Sequence, residues 1–86
     1  MPDAINISSV LVLAPLGQVT ATTRQLAELP GVEVHFTDSA TGRIVATLET
    51  SGVEDQQVGL RRIQALPHII QAEMAFHYCE SDFPEF

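Results

Sequence analysis

The amino-acid sequence predicts one α+β domain, a four-stranded antiparallel sheet with two helices on one face. Two observations lead to this prediction. The chain has 86 residues, of which 45% are hydrophobic and 17% charged, a composition that suits a single globular core. Segments with the two-residue period of strands and segments with helical spacing follow one another in the order βαββαβ.

The first strand and the first helix are recognised by where they end. Residues 5–14 form a β-rich run that stops at Pro15. Residues 18–29 carry apolar side chains at helical spacing. This helix stops at Pro30-Gly31, because proline cannot continue a helix and glycine accepts the left-handed conformation that follows one.

The second and third strands form a predicted hairpin. Residues 32–37 alternate in polarity, residues 38–42 supply turn chemistry, and residues 43–50 return as a strand. The side chains expected toward the core are Val32, Val34 and Phe36 on the second strand and Ile44, Ala46 and Leu48 on the third. The side chains expected on the opposite face of the second strand are Glu33, His35 and Thr37.

The second helix is predicted to begin at a capping box and to end at Pro67. Ser51 and Glu54 have the Ser-x-x-Glu spacing of such a box, and Gly59 is expected to allow close packing on the sheet. The apolar side of this helix comprises Val53, Leu60, Ile63 and Leu66.

The last strand is predicted over residues 68–78, where Ile70, Ala72, Met74 and Phe76 alternate with Gln71, Glu73, Ala75 and His77. Residues 79–86 are expected to be a frayed acidic tail.

A weak internal repeat relates the two halves of the chain. Residues 24–32 align with residues 61–69 at an offset of 37 (69 − 32), and each copy ends its helix at Leu-Pro before a strand. Two β-α-β halves with right-handed crossovers give the ferredoxin-like sandwich. In that topology the strand order is 4-1-3-2 and both helices lie on one face.

Charge and cysteine content restrict the function. Eleven acidic against four basic residues give a formal net charge of −7, which disfavours nucleic acid and anionic membranes as partners and favours a basic partner. The single Cys79 cannot form an internal disulfide. The apolar run at residues 10–16 is too short to span a bilayer and has no positive segment before it. We therefore expect a cytoplasmic protein.

The central strands carry apolar residues on both faces of a sheet that two helices can cover on one side only. On the first strand Val10 and Val12 lie opposite Leu11 and Leu13, and the pattern does not decide which pair meets the helices. On the third strand Val45 and Thr47 lie opposite the core-facing set. The carboxylates that rim this uncovered face are Glu33, Glu49 and Glu73. The pattern is equally compatible with ordinary surface, with a homodimer stacked sheet on sheet, and with a binding surface for a basic, apolar peptide.

The sequence contains no catalytic signature and no convincing metal-site signature. His35 and His77 fall on opposite edge strands, about 14 Å apart at about 4.8 Å per strand, too far to share a metal ion. His77 and Cys79 form a pair without a third ligand. No serine lies in a Gly-x-Ser-x-Gly elbow, and the loop at residues 14–17 lacks the arginine that an acylphosphatase needs. We expect no enzyme activity, no metal and no cofactor.

The chain resembles the NapD family over nearly its whole length. The segments that carry the resemblance are Ser8-Ser9-Val10-Leu11-Val12, Leu29-Pro30-Gly31-Val32-Glu33-Val34-His35, Asp38-Ser39-Ala40-Thr41-Gly42-Arg43-Ile44-Val45 and Phe76-His77-Tyr78. Their order, spacing and total length are together more specific than any one of them. The chain departs from the family pattern at His68-Ile69-Ile70, where a glycine is expected at the strand start.

The resemblance implies a ferredoxin-like chaperone for the periplasmic nitrate reductase catalytic subunit. It implies that the sheet face binds the twin-arginine signal peptide of the precursor, helical when bound, and delays export until the molybdenum cofactor is loaded. Such a signal combines a basic with an apolar stretch, which suits the uncovered face. We assign contacts by face: Val45 and Thr47 to the apolar stretch, Glu33 and Glu73 to the arginines, His35 and His77 to the rim. The protein is expected to be a monomer or weak homodimer. The alternative is a dimeric ferredoxin-like regulatory domain for small molecules.

Overall fold

The computed structural model describes residues 5–79, with the side chains of Val53 and of residues 76–79 left out. Its elements are β1 (Asn6–Leu13), α1 (Val19–Glu28), β2 (Val32–Asp38), β3 (Arg43–Thr50), α2 (Val53–Gln64) and β4 (Gln71–Cys79). The antiparallel sheet has the order β2-β3-β1-β4, which confirms the predicted 4-1-3-2 topology and the ferredoxin-like fold. Between residues 5 and 79, no helix has the length and apolar character needed to cross a membrane.

The core lies between the helices and one face of the sheet. Val10 and Val12 are buried there, which answers the question that the sequence pattern left open for β1. They pack in one cluster with Leu26 of α1, Ile63 of α2 and Ile44 of β3. Both helices therefore cover the same face. The alternate residues of β1 and β3, from Ile7 to Leu13 and from Arg43 to Glu49, are left on the other face.

The predicted bounds of β3 are confirmed, whereas the start of β4 is corrected. This strand begins at Gln71 rather than His68, because residues 68–70 belong to the connection that follows α2, where the Ile70 amide donates to the Leu13 carbonyl at 2.8 Å. His68 has φ 69°, in the left-handed region that favours glycine. The position where the family pattern led us to expect glycine thus has the backbone of a glycine but carries a histidine. β4 extends to Cys79, and the rest of the predicted tail lies outside the described residues.

The capping box predicted at Ser51 is wrong. Gly52 is the N-cap of α2, with extended backbone and no side-chain cap hydrogen bond. The Thr50 hydroxyl instead donates to the Gly52 carbonyl at 2.9 Å, and Glu54 in the first turn offsets the helix dipole. Gly59 packs closely on β3 as predicted, because a Cβ there would lie 2.6 Å from a methyl group of Leu48. Val53, predicted on the apolar side, has its side chain outside the described part.

A buried glutamine fastens α2 to the sheet, which the sequence pattern did not predict. Gln56 is only 1% exposed. Its amide nitrogen donates to the carbonyls of Asn6 and Leu48 at 2.8 and 2.9 Å and to the Thr50 hydroxyl at 3.0 Å. Its side-chain carbonyl accepts from the Ser8 hydroxyl. The polar groups of this cluster are therefore paired with one another inside the core.

Candidate functional site

A β-bulge in β2 reverses the expected orientation of Phe36. Val34 pairs with Ala46 and Phe36 pairs with Val45, so that His35 is an extra residue between them. Beyond the bulge the alternation continues with the opposite phase. Phe36 therefore lies on the uncovered face with 54% of its surface exposed. The prediction that Phe36 faces the core is wrong, because it assumed regular pairing along the whole strand.

An apolar row crosses the centre of the uncovered face. We use this name for Phe36, Val45 and Leu11, which lie side by side on β2, β3 and β1. Val45 is the Cα partner of both of its neighbours. Leu11 is 47% exposed and Val45 is half-buried. Leu13 continues the apolar surface along β1, so the row forms part of a depression that reaches β4.

An acidic corner occupies one end of the same face. We use this name for Glu33 and Glu49, which are both exposed and line one shallow depression with Ile7 and Thr47. Glu33 lies opposite Thr47 on the neighbouring strand, and Glu49 is two residues further along β3, opposite Ile7. Two carboxylates thus share one end of the sheet, and the residues that line their depression include His35 but no lysine or arginine.

His35 remains on the uncovered face although it is the bulged residue. Its Nε2 atom and the Thr47 hydroxyl oxygen are 2.8 Å apart and share a hydrogen bond. This bond holds the imidazole between the acidic corner and the apolar row. The bulge therefore adds an aromatic side chain to the face without removing the polar one.

The opposite end and the far edge of the face carry a mixed set of charges. Arg43 is exposed at the start of β3, and its Cα partner on β2 is Asp38. On β4, Glu73 lies across from Leu11 and accepts a hydrogen bond from the side-chain nitrogen of Gln71. This end therefore has no concentration of one sign of charge comparable to that of the acidic corner.

Four of the six residues assigned from the sequence lie together. Glu33, His35, Val45 and Thr47 are neighbours on β2 and β3. Glu73 lies on the other edge strand, about 14 Å from β2 at three strand spacings.

A second register shift, between Ser9 and Val10 of β1, interrupts the alternation predicted for β4. The Cα atom of His77 pairs with that of Ser8, and the His77 side chain lies outside the described part.

The sequence assignment missed three side chains of this face. Leu11 could have been assigned once the buried face of β1 was known. Glu49 was recognised at the rim but was not assigned as a contact. Phe36 gave no signal, because its spacing from Val32 and Val34 is that of a core residue. Within residues 5–79, no three His, Cys, Asp or Glu side chains are grouped so that they could hold a metal ion.

Within residues 5–79, the fold and this face define a ferredoxin-like domain with one sheet surface that no other described element covers, apolar at its centre and acidic at one end. A family model described as "NapD protein" matches residues 5–81. The chain belongs to the NapD family, which confirms the resemblance found in the sequence.

Among solved structures, the chain is similar to the solution structure of the E. coli Tat proofreading chaperone protein NapD. The TM-score is 0.84 at 20% identity, with 100% of this chain and 90% of that chain covered. This likeness supports the fold assignment. No curated protein sequence matches the chain significantly.

Proposed function

We propose that this protein is a cytoplasmic chaperone that binds the twin-arginine signal peptide of the periplasmic nitrate reductase precursor and delays its export until cofactor loading is complete. The observation that carries the proposal is an uncovered sheet face with an apolar centre in a member of the NapD family. The E. coli structure of the same family is described as a Tat proofreading chaperone. The proposed activity is binding, without a chemical step.

The face offers separate surfaces to the two parts of such a peptide. Val45 and Thr47, extended by Leu11 and Phe36, would bury the apolar stretch, with a gain of about 25 cal/mol per Å² of apolar surface removed from water. Glu33 would attract the arginines directly, and Glu73, on the other edge strand, would act on them at longer range. His35 would lie at the rim. The charges would act mainly on encounter rate and on discrimination against other peptides.

Calorimetric titration tests the proposal directly. A synthetic twin-arginine signal peptide is titrated into the protein, and a variant with both arginines replaced by lysine is titrated in parallel. We expect saturable binding of the first and binding roughly tenfold weaker of the second, because guanidinium groups bind carboxylates bidentately and ammonium groups do not. No heat and no chemical-shift change with either peptide would reject the proposal.

The substitution Val45→Glu tests the position of the site. A glutamate in the apolar row must lose its hydration when the peptide docks, so we expect affinity to fall at least tenfold. Val58→Glu is the matched control, since Val58 is 39% exposed on α2 and lies on the helix side of the molecule. Circular dichroism checks that both variants fold. Unchanged affinity in Val45→Glu would remove this residue from the site.

The delay of export requires a measurement in cells. A reporter fused to the signal peptide is followed from cytoplasm to periplasm with and without this protein. We expect slower appearance in the periplasm when the protein is present, and normal appearance with Val45→Glu. Sedimentation velocity complements this test: we propose a monomer or weak homodimer, and a tight dimer that blocks peptide binding would favour sheet-on-sheet association instead.

A further inference from the structure

We infer that the uncovered face imposes a direction on its ligand: a bound twin-arginine peptide runs parallel to β1, with its arginines at the acidic corner and its apolar stretch over the apolar row. Glu49 is thereby assigned as a specificity-determining residue together with Glu33. The inference rests on the proposed function, because it concerns how the same face holds the same peptide.

The acidic corner is built to receive two neighbouring cations. Glu33 and Glu49 are diagonal neighbours on adjacent strands, a relationship that separates Cα atoms by about 7–8 Å. Long arginine side chains on consecutive residues can diverge by this amount. Glu73 lies across the sheet on β4, and its carboxylate already accepts a hydrogen bond from Gln71. Within the part of the face formed by residues 5–79, a pair of adjacent arginines therefore meets two carboxylates only at the acidic corner.

The other end of the face suits an apolar segment rather than a basic one. The exposed Arg43 repels a cation there and offsets the charge of Asp38 across from it, whereas the acidic corner has two carboxylates and no lysine or arginine beside them. Leu13 continues the apolar row toward this end. The loops that follow β1 and precede β4 there expose Leu16 and Ile70. Exposed apolar side chains thus continue from the apolar row to the loops at this end.

The spacing of the two surfaces fits one helical peptide. Glu49 and Val45 are four residues apart on β3, or about 13 Å at about 3.3 Å per residue. Glu33 is at the level of Thr47, about 7 Å from Val45 along the same direction. A helix aligned with the strands rises 1.5 Å per residue, so side chains about 4–9 positions beyond the arginines lie over the apolar row.

The direction follows from the order of the two parts in a signal peptide. Its basic segment precedes its apolar segment. With the basic segment at the acidic corner, the chain runs from the level of Ile7 toward the level of Leu13. This is the direction of β1 and the reverse of the direction of β3.

Paramagnetic relaxation tests the direction. The twin-arginine peptide carries a nitroxide label at its N-terminus or at its C-terminus and is added to ¹⁵N-labelled protein. We expect the N-terminal label to broaden the amide signals of Glu33 and Glu49, and the C-terminal label to broaden those of Leu13 and Arg43. The reverse pattern, or broadening of both ends by either label, would overturn the direction and leave the proposed function standing. Absence of binding by the unlabelled peptide would overturn both.

Charge-neutralising variants test Glu49 separately. We expect Glu49→Gln to weaken binding of the twin-arginine peptide about fivefold or more, and Glu33→Gln/Glu49→Gln to weaken it more than tenfold and to abolish the preference over the twin-lysine peptide. Glu28→Gln, an exposed position on α1, is the charge-matched control and should leave affinity unchanged. Glu73→Gln should weaken binding less than Glu49→Gln. Equal affinities of Glu49→Gln and Glu28→Gln would overturn the assignment.

Discussion

Phe36 lies directly across from Val45 on the uncovered face of the sheet, although in the sequence it is in phase with the core-side residues Val32 and Val34. The cause is His35, the extra residue of a bulge, which reverses the phase of β2. As a result the apolar row has three members instead of two. The bulge also keeps His35 in contact with Thr47, so one irregularity places an aromatic and an imidazole side chain side by side.

The substitution Phe36→Ala is expected to weaken peptide binding about tenfold. A half-exposed phenylalanine at the centre of a docking surface typically contributes about 1–2 kcal/mol to binding, and about 1.4 kcal/mol corresponds to a factor of ten. Because this side chain is not part of the core, the free energy of unfolding should change by less than about 1 kcal/mol. Calorimetry and thermal unfolding measure the two effects.

Val58→Ala is the control for this prediction, since it truncates an exposed apolar side chain on α2. Its affinity should equal that of the unmodified protein. If Phe36→Ala binds equally well, Phe36 is surface rather than an anchor. If Phe36→Ala unfolds far more easily than the unmodified protein, the side chain supports the fold, and a loss of affinity then says nothing about its contact with the peptide.

The elements of the fold could be predicted because their signals are local and agree with one another. The alternation of β3 is regular over its whole length, so its predicted bounds match the structure. The stop signal at Pro30-Gly31 works through backbone conformation, and Gly31 has φ 77°. By contrast, the start of α2 depends on which residue is the last to have an extended backbone, and in the structure this residue is Gly52. The Ser-x-x-Glu spacing alone does not decide between Ser51 and Gly52.

The candidate site could be predicted only in part, because its composition depends on pairing between strands. Thr47 and Val45 were placed correctly by alternation within β3. Val10 is buried, so Leu11 lies on the uncovered face. The packing of α2 decides which face of β1 is buried, and the alternation within β1 does not reveal it because both faces are apolar. The bulge at His35 is a property of the pairing between two strands. No periodicity within one strand reveals it.

Gln56→Leu is expected to lower the free energy of unfolding by about 2–4 kcal/mol. The substitution keeps the volume approximately constant. It deprives the carbonyls of Asn6 and Leu48 of this donor and leaves the buried Ser8 hydroxyl with only the weakly accepting sulfur of Met74. Chemical denaturation measures the change. Gln57→Leu, one residue further at an exposed position of α2, should change stability by less than about 0.5 kcal/mol. Equal effects at the two positions would contradict a role for the buried cluster.

Gly31→Ala is expected to destabilise the protein far more than Gly17→Ala. Both glycines have positive φ, 77° and 87°, so alanine carries a backbone cost of about 1 kcal/mol at either position. Only at Gly31 would the added Cβ meet another backbone, since it would lie 2.2 Å from the Glu49 carbonyl oxygen. At Gly17 nothing lies within 4 Å. We expect losses of about 3 kcal/mol and about 1 kcal/mol respectively in denaturant titrations. Similar losses would mean that β2 and β3 separate easily at this end.

His68→Gly is expected to stabilise the protein. His68 holds a left-handed backbone at φ 69°, which costs a non-glycine residue about 1–2 kcal/mol. Glycine removes this cost but gains conformational freedom in the unfolded chain, which offsets part of the benefit. We therefore expect the free energy of unfolding to rise by about 0.5–1 kcal/mol and the thermal midpoint by roughly 2–8 °C. His68→Ala is the control, because alanine removes the imidazole and keeps the strained backbone. If alanine stabilises the protein as much as glycine does, the imidazole rather than the backbone conformation is the cause.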